Sequence, residues 1–238
     1  DSKRPLTPAG IARLHKAARG LNAIGVGFDQ IVTSPLVRTR QTADTIADVN
    51  AFATGLEHPR WINILPNGDV LIAESNQIAG PPRSVFHYAM QATMRRARAL
   101  GVSANRITLL RDRDGDGVAE KRGTFMEGLS QPFGMALVGE TFYVGNTDGV
   151  VAFPYVQGAD NITAEGKKLV TFKPSGHWTR SLLPSADGRK LYAGVGSLSN
   201  IADDGMEAEK GRACIYQIDL KSGNSRIFAS GLRNPVGL

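Results

Sequence analysis

Through residues 51–238, apolar side chains alternate with small or polar ones over short runs, and each run stops at a cluster of Gly, Pro, Asn, Asp or Ser. A two-residue period punctuated in this way predicts short strands joined by tight turns. The fullest copy is SGHWTRSLLPSADGRKLYAGVGSLSN, Ser175 to Asn200. Here Trp178–Leu183 predicts a strand headed by His177, Pro184–Gly188 a turn, and Leu191–Val195 the returning strand. Related phrases open at Gly55 (GLEHPRWINILPNGDVLIAE), Gly128 (GLSQPFGMALVGETFYVGN) and Gly231 (GLRNPVGL). The Gly-Leu-x-x-Pro heads lie 73 and then 103 residues apart, with the His177 phrase near the middle of the longer gap, so the period is about 50. A repeat of that size built from strands predicts a mainly β chain folded as part of a β-propeller, because one small sheet cannot bury its own faces. About three blades fit, a fourth begins at the last phrase, and the repeat heads are expected to gather around one axis.

The first fifty residues follow another period. Thr7 and Pro8 give an N-cap and a first helical position, and Ile11, Leu14, Ala18 and Leu21 share one face until Gly25. Phe28–Thr33 reads as a buried strand, and Ser34 and Pro35 open a second helix through Thr39, Thr42 and Ile46. The order helix, strand, helix is that of a short α/β fragment. The two patterns meet near Asp48–Ala51 without a Gly/Ser or Pro-rich linker, so two units are expected, 1–50 and 51–238. One stretch of the second unit also breaks the strand rhythm. Ser84–Leu100 places Val85, Phe86, Met90, Met94 and Ala97 on one helical face, with Arg95, Arg96 and Arg98 toward the C-terminal end, where cations favour the helix dipole. Such a helix can lie on a membrane; an insertion packed over the propeller rim is the plainer expectation, and membrane contact is not expected.

Composition narrows the classes. The 238 residues are 42% hydrophobic and 21% charged, with 27 Gly and 12 Pro, the profile of a globular chain rich in turns. No apolar run approaches the roughly 18 residues of a membrane span. The net charge of +6 is spread out, with no basic stripe interleaved with aromatics, so nucleic acid is not an expected partner. The single Cys214, in the alternation RACIYQI, is expected in the core. The chain starts without methionine and is expected to be an interior piece.

Three carboxylates carry candidate metal chemistry. Asp112, Asp114 and Asp116 in DRDGDG occupy positions one, three and five of a calcium loop with glycine at six, but position twelve is Gly123 where a bidentate glutamate belongs. A weak structural calcium site and a hairpin turn whose aspartates cap backbone amides both fit these residues.

Two resemblances add to this reading. RPLTPAG at Arg4–Gly10 and IVTSPLVRTRQTADTIA at Ile31–Ala47 resemble the histidine phosphatase family, in particular its short SixA-like phosphohistidine phosphatases. The resemblance implies that Arg38 meets a substrate phosphate, as a planar guanidinium suits. The family's nucleophilic Arg-His-Gly motif and its second histidine have no counterpart in residues 1–50, and His15 matches neither, so a phosphate-binding remnant is the expectation. Residues 51–238 resemble the quinoprotein sugar dehydrogenases of the sorbosone and glucose dehydrogenase branch, through the repeat phrases above together with ANRITLLRDRDGDGVAE and PFGMALVGETFYVGNTDGVVAFPY. This implies a six-bladed propeller holding pyrroloquinoline quinone (PQQ) and calcium at one end of its axis, a sugar or aldose substrate, an electron acceptor such as a cytochrome, and a periplasmic setting. His177 matches the family's catalytic base, and Arg233 and Asn234 match the residues that contact the quinone. Arg180 is expected near the same mouth by strand alternation. Blades after Leu238 would supply the catalytic calcium ligands, so the expectation for this chain is an incomplete site without turnover. A non-enzymatic propeller scaffold and a phosphatase remnant are the alternatives, since a fold does not fix a function.

Overall fold

The structure, a computed structural model, describes residues 5–14, 37–46, 52–82, 84–97, 99–115, 117–200 and 202–237. Residues 8–14 are helical, and α1 spans Val37–Ile46. Leu6 N donates to Gln41 Oε1 at 2.7 Å, which ties the two segments together. The expected strand Phe28–Thr33 and His15 lie outside the described residues.

The remainder folds into three four-stranded antiparallel sheets, each with its strands in sequence order, as the repeat predicts. The first holds β1 (Pro59–Ile64), β2 (Val70–Glu74), β3 (Arg106–Arg111) and β4 (Lys121–Met126). The second holds β5 (Met135–Val138), β6 (Thr141–Asn146), β7 (Gly149–Pro154) and β8 (Lys167–Thr171). The third holds β9 (Leu182–Pro184), β10 (Lys190–Val195), β11 (Cys214–Asp219) and β12 (Ser225–Ala229). The first strands of neighbouring sheets touch, β1 against β5 and β5 against β9, so they gather on one side as propeller-like blades do. Apolar residues are buried between blades. Leu71, Ile107, Leu109 and Phe125 of the first sheet pack with Phe142 and Val144 of the second, whose other face (Ala136, Tyr143, Val150) packs on Leu182, Leu191, Val195 and Cys214 of the third. Cys214 is in the core, as its alternation implies.

Two expectations change in detail. Trp178–Leu183 does not form one strand: only Leu182–Pro184 is extended and paired, and His177 lies in the loop before it. Alternation alone did not anticipate that Arg180 turns inward and gathers its own loop's carbonyls. The predicted helix is shorter, α2 at Val85–Arg96, between β2 and β3, with Ser84 Oγ accepting the His87 amide at its N-cap. Its apolar face is not the buried one. Val85 and Phe86 are 87% and 79% exposed, whereas Gln91 is buried and donates to Gly80 O. No helix among the described residues is long and apolar enough to cross a membrane.

Backbone contact between the second and third sheets demands glycine. A Cβ on Gly134 would stand 2.5 Å from both Arg180 O and Leu182 N, and the Gly134 amide donates to Arg180 O at 2.9 Å. In the first sheet, buried Asp69 accepts both Arg111 Nε at 2.6 Å and Arg111 Nη2 at 2.7 Å across the β2–β3 pair. The Arg111 hydrogen bonds hold the Asp69 carboxyl below the usual carboxylate range, against the opposing effect of burial.

Two outcomes follow. Gly134→Ala should lower the free energy of unfolding by about 2–3 kcal/mol in a urea titration, because the obstructing atoms are backbone; a loss within about 0.5 kcal/mol would contradict the close approach. Asp69→Asn should cost about 2–3 kcal/mol at neutral pH. Because the folded carboxyl is depressed, its contribution is complete above the unfolded value of about 3.9 and fades as pH falls through the lower folded value. The gap between the wild type and Asp69→Asn should therefore close in strong acid, and a gap that widens there would contradict the assignment.

Candidate functional site

The site forms where the loop before β9 meets the end of β10. The His177 amide donates to Ser197 O at 3.0 Å, and His177 Nδ1 lies 3.0 Å from the same oxygen. A carbonyl can only accept, so Nδ1 carries a proton, and in the neutral ring Nε2 therefore holds the lone pair. Ser197 is itself fixed, its amide donating to Arg233 O at 2.7 Å and its hydroxyl to Ser199 O at 2.6 Å. The half-buried imidazole is therefore held in one tautomer with Nε2 unspent.

Two buried arginines hold this loop from within. Arg180, 0% exposed, donates through Nη1 to His177 O at 2.7 Å and Thr179 O at 2.9 Å, and through Nη2 to Lys173 O at 3.3 Å. Arg212 donates to Lys173 O at 3.0 Å and to the carbonyls of Ser175 and Ser197. Burial, reinforced by the nearby charge of Arg212, lowers the Arg180 guanidinium to about 10. It still carries its charge at neutral pH.

Next to His177, Trp178 is gripped by the other two sheets. Arg60 of β1 sits 5.4 Å from the centre of its ring, and Phe133 meets it edge-on with centroids 6.3 Å apart. Arg60 is in turn anchored on Ser75 O at 2.7 Å and Asn76 Oδ1 at 3.1 Å. On the other flank, Asn234 closes against Gly196: a Cβ there would fall 2.5 Å from Asn234 Oδ1 and 2.5 Å from His177 Cβ. Glycine at 196 is what lets these two polar side chains approach. Asn234 Oδ1 is buried without a hydrogen-bond partner.

These elements enclose a cleft of about 460 Å³ lined by Gln77, His177, Trp178, Asn200, Asp203 and Asn234, among others. It is continuous with a cleft of about 670 Å³ that reaches His87, Met90, Gln91 and Met94 of α2, both sharing Gln77, Gly176 and Asp203. A lone-pair nitrogen, an amide and a tryptophan beside one polar cavity can bind a polyfunctional ligand and accept a proton from it.

The expected site residues separate into groups. His177 and Asn234 line the cleft together. Arg233 reaches it through Asn200, donating from Nε to Asn200 O at 3.3 Å and from Nη2 to Asn200 Oδ1 at 2.5 Å. Arg180, expected at the mouth, is instead enclosed beneath His177 and does not line the cleft, because its Nη donors are taken up by loop carbonyls. Arg38 lies elsewhere, exposed on α1. Asp112 and Asp114 sit on the β3–β4 hairpin, while Asp116 lies outside the described residues. Asp112 accepts the amides of Gly115 at 2.7 Å and Gly117 at 2.9 Å, as a capped turn does. Carboxylate oxygens of Asp112, Asp114 and Glu120 also come within 4.8 Å of one another. Glu120 was missed because loop counting looks to position twelve, whereas the hairpin folds the acid at position nine back. Ser197 and Arg212 were missed too, since no local motif marks a residue that acts through backbone carbonyls.

Comparison with known proteins bears on the family and the fold. Residues 43–238 match the model of a family described as TrAA12-like, and residues 2–64 match the histidine phosphatase superfamily (branch 1). Among solved structures, the calcium structure of the Trichoderma reesei family AA12 carbohydrate-active enzyme superposes with a TM-score of 0.60 and 20% identity, covering 78% of this chain and 44% of that one. The holo form of the pyranose dehydrogenase PQQ domain from Coprinopsis cinerea gives a TM-score of 0.58 and 18% identity, over 77% of this chain and 41% of that one. An uncharacterized protein of Picosynechococcus sp. is 47% identical over 47 residues, 20% of this chain and 28% of its own length. The chain thus spans less than half the length of each of these proteins.

If the buried arginine holds the loop, Arg180→Met should accelerate amide hydrogen exchange at residues 176–179 by about tenfold or more while leaving β2 and β3 unchanged. Equal protection of the loop in both proteins would show that Arg180 does not position His177.

Proposed function

Because the chain belongs, through residues 43–238, to the TrAA12-like family, we propose that the His177 cleft serves PQQ-dependent oxidation of a sugar or sugar aldehyde, in a propeller that the whole protein completes to six blades. The observation that carries this reading is the pairing of an unspent His177 Nε2 with the unpartnered, buried Asn234 Oδ1 on one cleft. The residues present fit a quinone on this side of the cleft. Asn234 offers an acceptor in need of a donor and an amide donor for a quinone oxygen, and Arg233, steadied by Asn200, brings positive charge toward carboxylate or oxyanion groups. Trp178, wedged between Arg60 and Phe133, supplies a rigid apolar wall.

When bound, the quinone supplies the two-electron acceptor that no side chain of this chain can provide. His177 takes the proton of the substrate hydroxyl at Nε2, and its Nδ1–H bond to Ser197 O steadies the imidazolium that results. Arg180 and Arg212 act through the backbone by keeping the loop that carries His177 in register. Asp203 and Gln77 offer acceptors and donors for sugar hydroxyls at the cleft's rim. Calcium is the expected companion of the quinone, and the Asp112, Asp114 and Glu120 group is a separate structural site for a weakly held calcium ion. An external electron acceptor reoxidises the cofactor. In residues 2–64, Arg38 is the phosphate-contacting remnant of the histidine phosphatase match.

Titrating PQQ with calcium into the protein should change the cofactor's visible spectrum saturably, and Asn234→Leu should weaken binding about tenfold by removing both polar contacts. An unchanged spectrum at millimolar cofactor would favour a binding scaffold over a dehydrogenase. In quinone-loaded protein that oxidises an aldose, His177→Ala should lower kcat by about a hundredfold or more with cofactor affinity retained; full turnover in that variant would remove His177 from the role of base.

A further inference from the structure

The arginines that brace the His177 loop leave positive charge inside the fold with little to balance it. Arg180 and Arg212 are 0% and 6% exposed, and every acceptor they meet is a neutral backbone carbonyl, Lys173 O being shared by both. Neither Nε–H has an acceptor. The acids whose charge they feel make no direct pair with them, although Asp148 Oδ1 is buried without a hydrogen-bond partner among the described residues. Glu209 accepts the amides of Leu198 and Ser199, and Asp148 is paired with Lys168 at 2.6 Å. Burial pushes the Cys214 thiol up, so it stays neutral. Burying a cation without a counter-charge costs several kcal/mol even after relaxation.

A cleft of about 170 Å³ opens on one of these cations. It is lined by Arg212, Lys173, Lys210, Thr171 and Tyr216, and no carboxylate lines it. Lys210 has one acidic neighbour, Glu207 at 3.6 Å, and that pair is exposed on both sides and weak. Three basic residues and two hydroxyl residues line a small cavity, and Arg212, whose Nη atoms donate to carbonyls, keeps a buried Nε–H with no acceptor among the described residues, a setting that lacks an anion.

We propose that this cleft is a binding site for a small tetrahedral oxyanion of the phosphate or sulfate class, seated between Arg212, Lys173 and Lys210. A guanidinium and two ammonium groups present donors to several oxygens at once, which a tetrahedral ion accepts better than a halide does. The volume lies well below the roughly 300 Å³ at which sites for drug-sized ligands begin, so it admits the free ion and not an enclosed sugar phosphate. Occupancy also bears on the His177 loop, since the Arg212 that meets the ion is the one that holds Ser175 and Ser197. The site is independent of the quinone reading and of Arg38.

Isothermal titration of the 238-residue protein with sodium phosphate, at constant ionic strength balanced with sodium chloride, tests the site. Saturable binding is expected, with the affinity of Lys173→Met/Lys210→Met lower by about tenfold or more. Both substitutions are on exposed side chains and leave the Lys173 carbonyl in place. Arg38→Met is expected to bind phosphate as the wild type does, and loss of binding in that variant would move the site to α1. Heats indistinguishable from those of sodium chloride, or equal affinity in the double lysine variant, would overturn the proposal.

Discussion

Two buried guanidinium groups that donate only to carbonyls, Arg180 also lying over the Phe172 ring, hold the candidate site together. An arginine removed from water must recover its hydration from other acceptors, and with no carboxylate in reach the backbone of residues 173–179 and Ser197 supplies them. This exchange works in both directions. The cation is made tolerable, and a loop with no strand partner of its own acquires a fixed course. His177 inherits that course, and the tautomer it adopts follows from where Ser197 O is held.

The blades supply the frame for this loop. Gly134 and Gly196 are both places where a side chain would separate elements that must touch, the first between sheets and the second between His177 and Asn234. Trp178 draws the three sheets to one point, through Arg60 of the first and Phe133 before the second. Local strain is accepted in the repeat heads as well: His58 and Gln131, at equivalent positions of their Gly-Leu-x-x-Pro phrases, both have positive φ, at 52° and 47°. The chemistry of the cleft thus depends on contacts spread over all three repeats, although most of its polar groups, Gln77 aside, come from the loops of the third sheet and the phrase after it.

Much of this was legible in the sequence, and the parts that were not share a cause. Strand periods, turn clusters and the spacing of the heads are local signals, and they yield the antiparallel sheets and the buried Cys214, as helical spacing yields the presence of α2. His177 and Asn234 were singled out by the resemblance of their phrases to the quinoprotein sugar dehydrogenases, and alternation did not place them. It fails at Trp178–Leu183, where a tertiary demand, the solvation of Arg180, overrides strand propensity for four residues. It fails again at α2, whose apolar stripe faces outward while Gln91 is buried. Arg212 and Ser197 left no pattern to read, because their partners are main-chain atoms that any sequence would supply.

The central claim is that the fold holds His177 with Nδ1 protonated and Nε2 free, and the imidazole 15N chemical shifts test it most directly. In histidine-labelled protein, with the His177 signals assigned by their loss in His177→Gln, the neutral ring should show a protonated Nδ1 and an unprotonated Nε2. A ring protonated at Nε2, or one averaging between the two tautomers, would contradict the account.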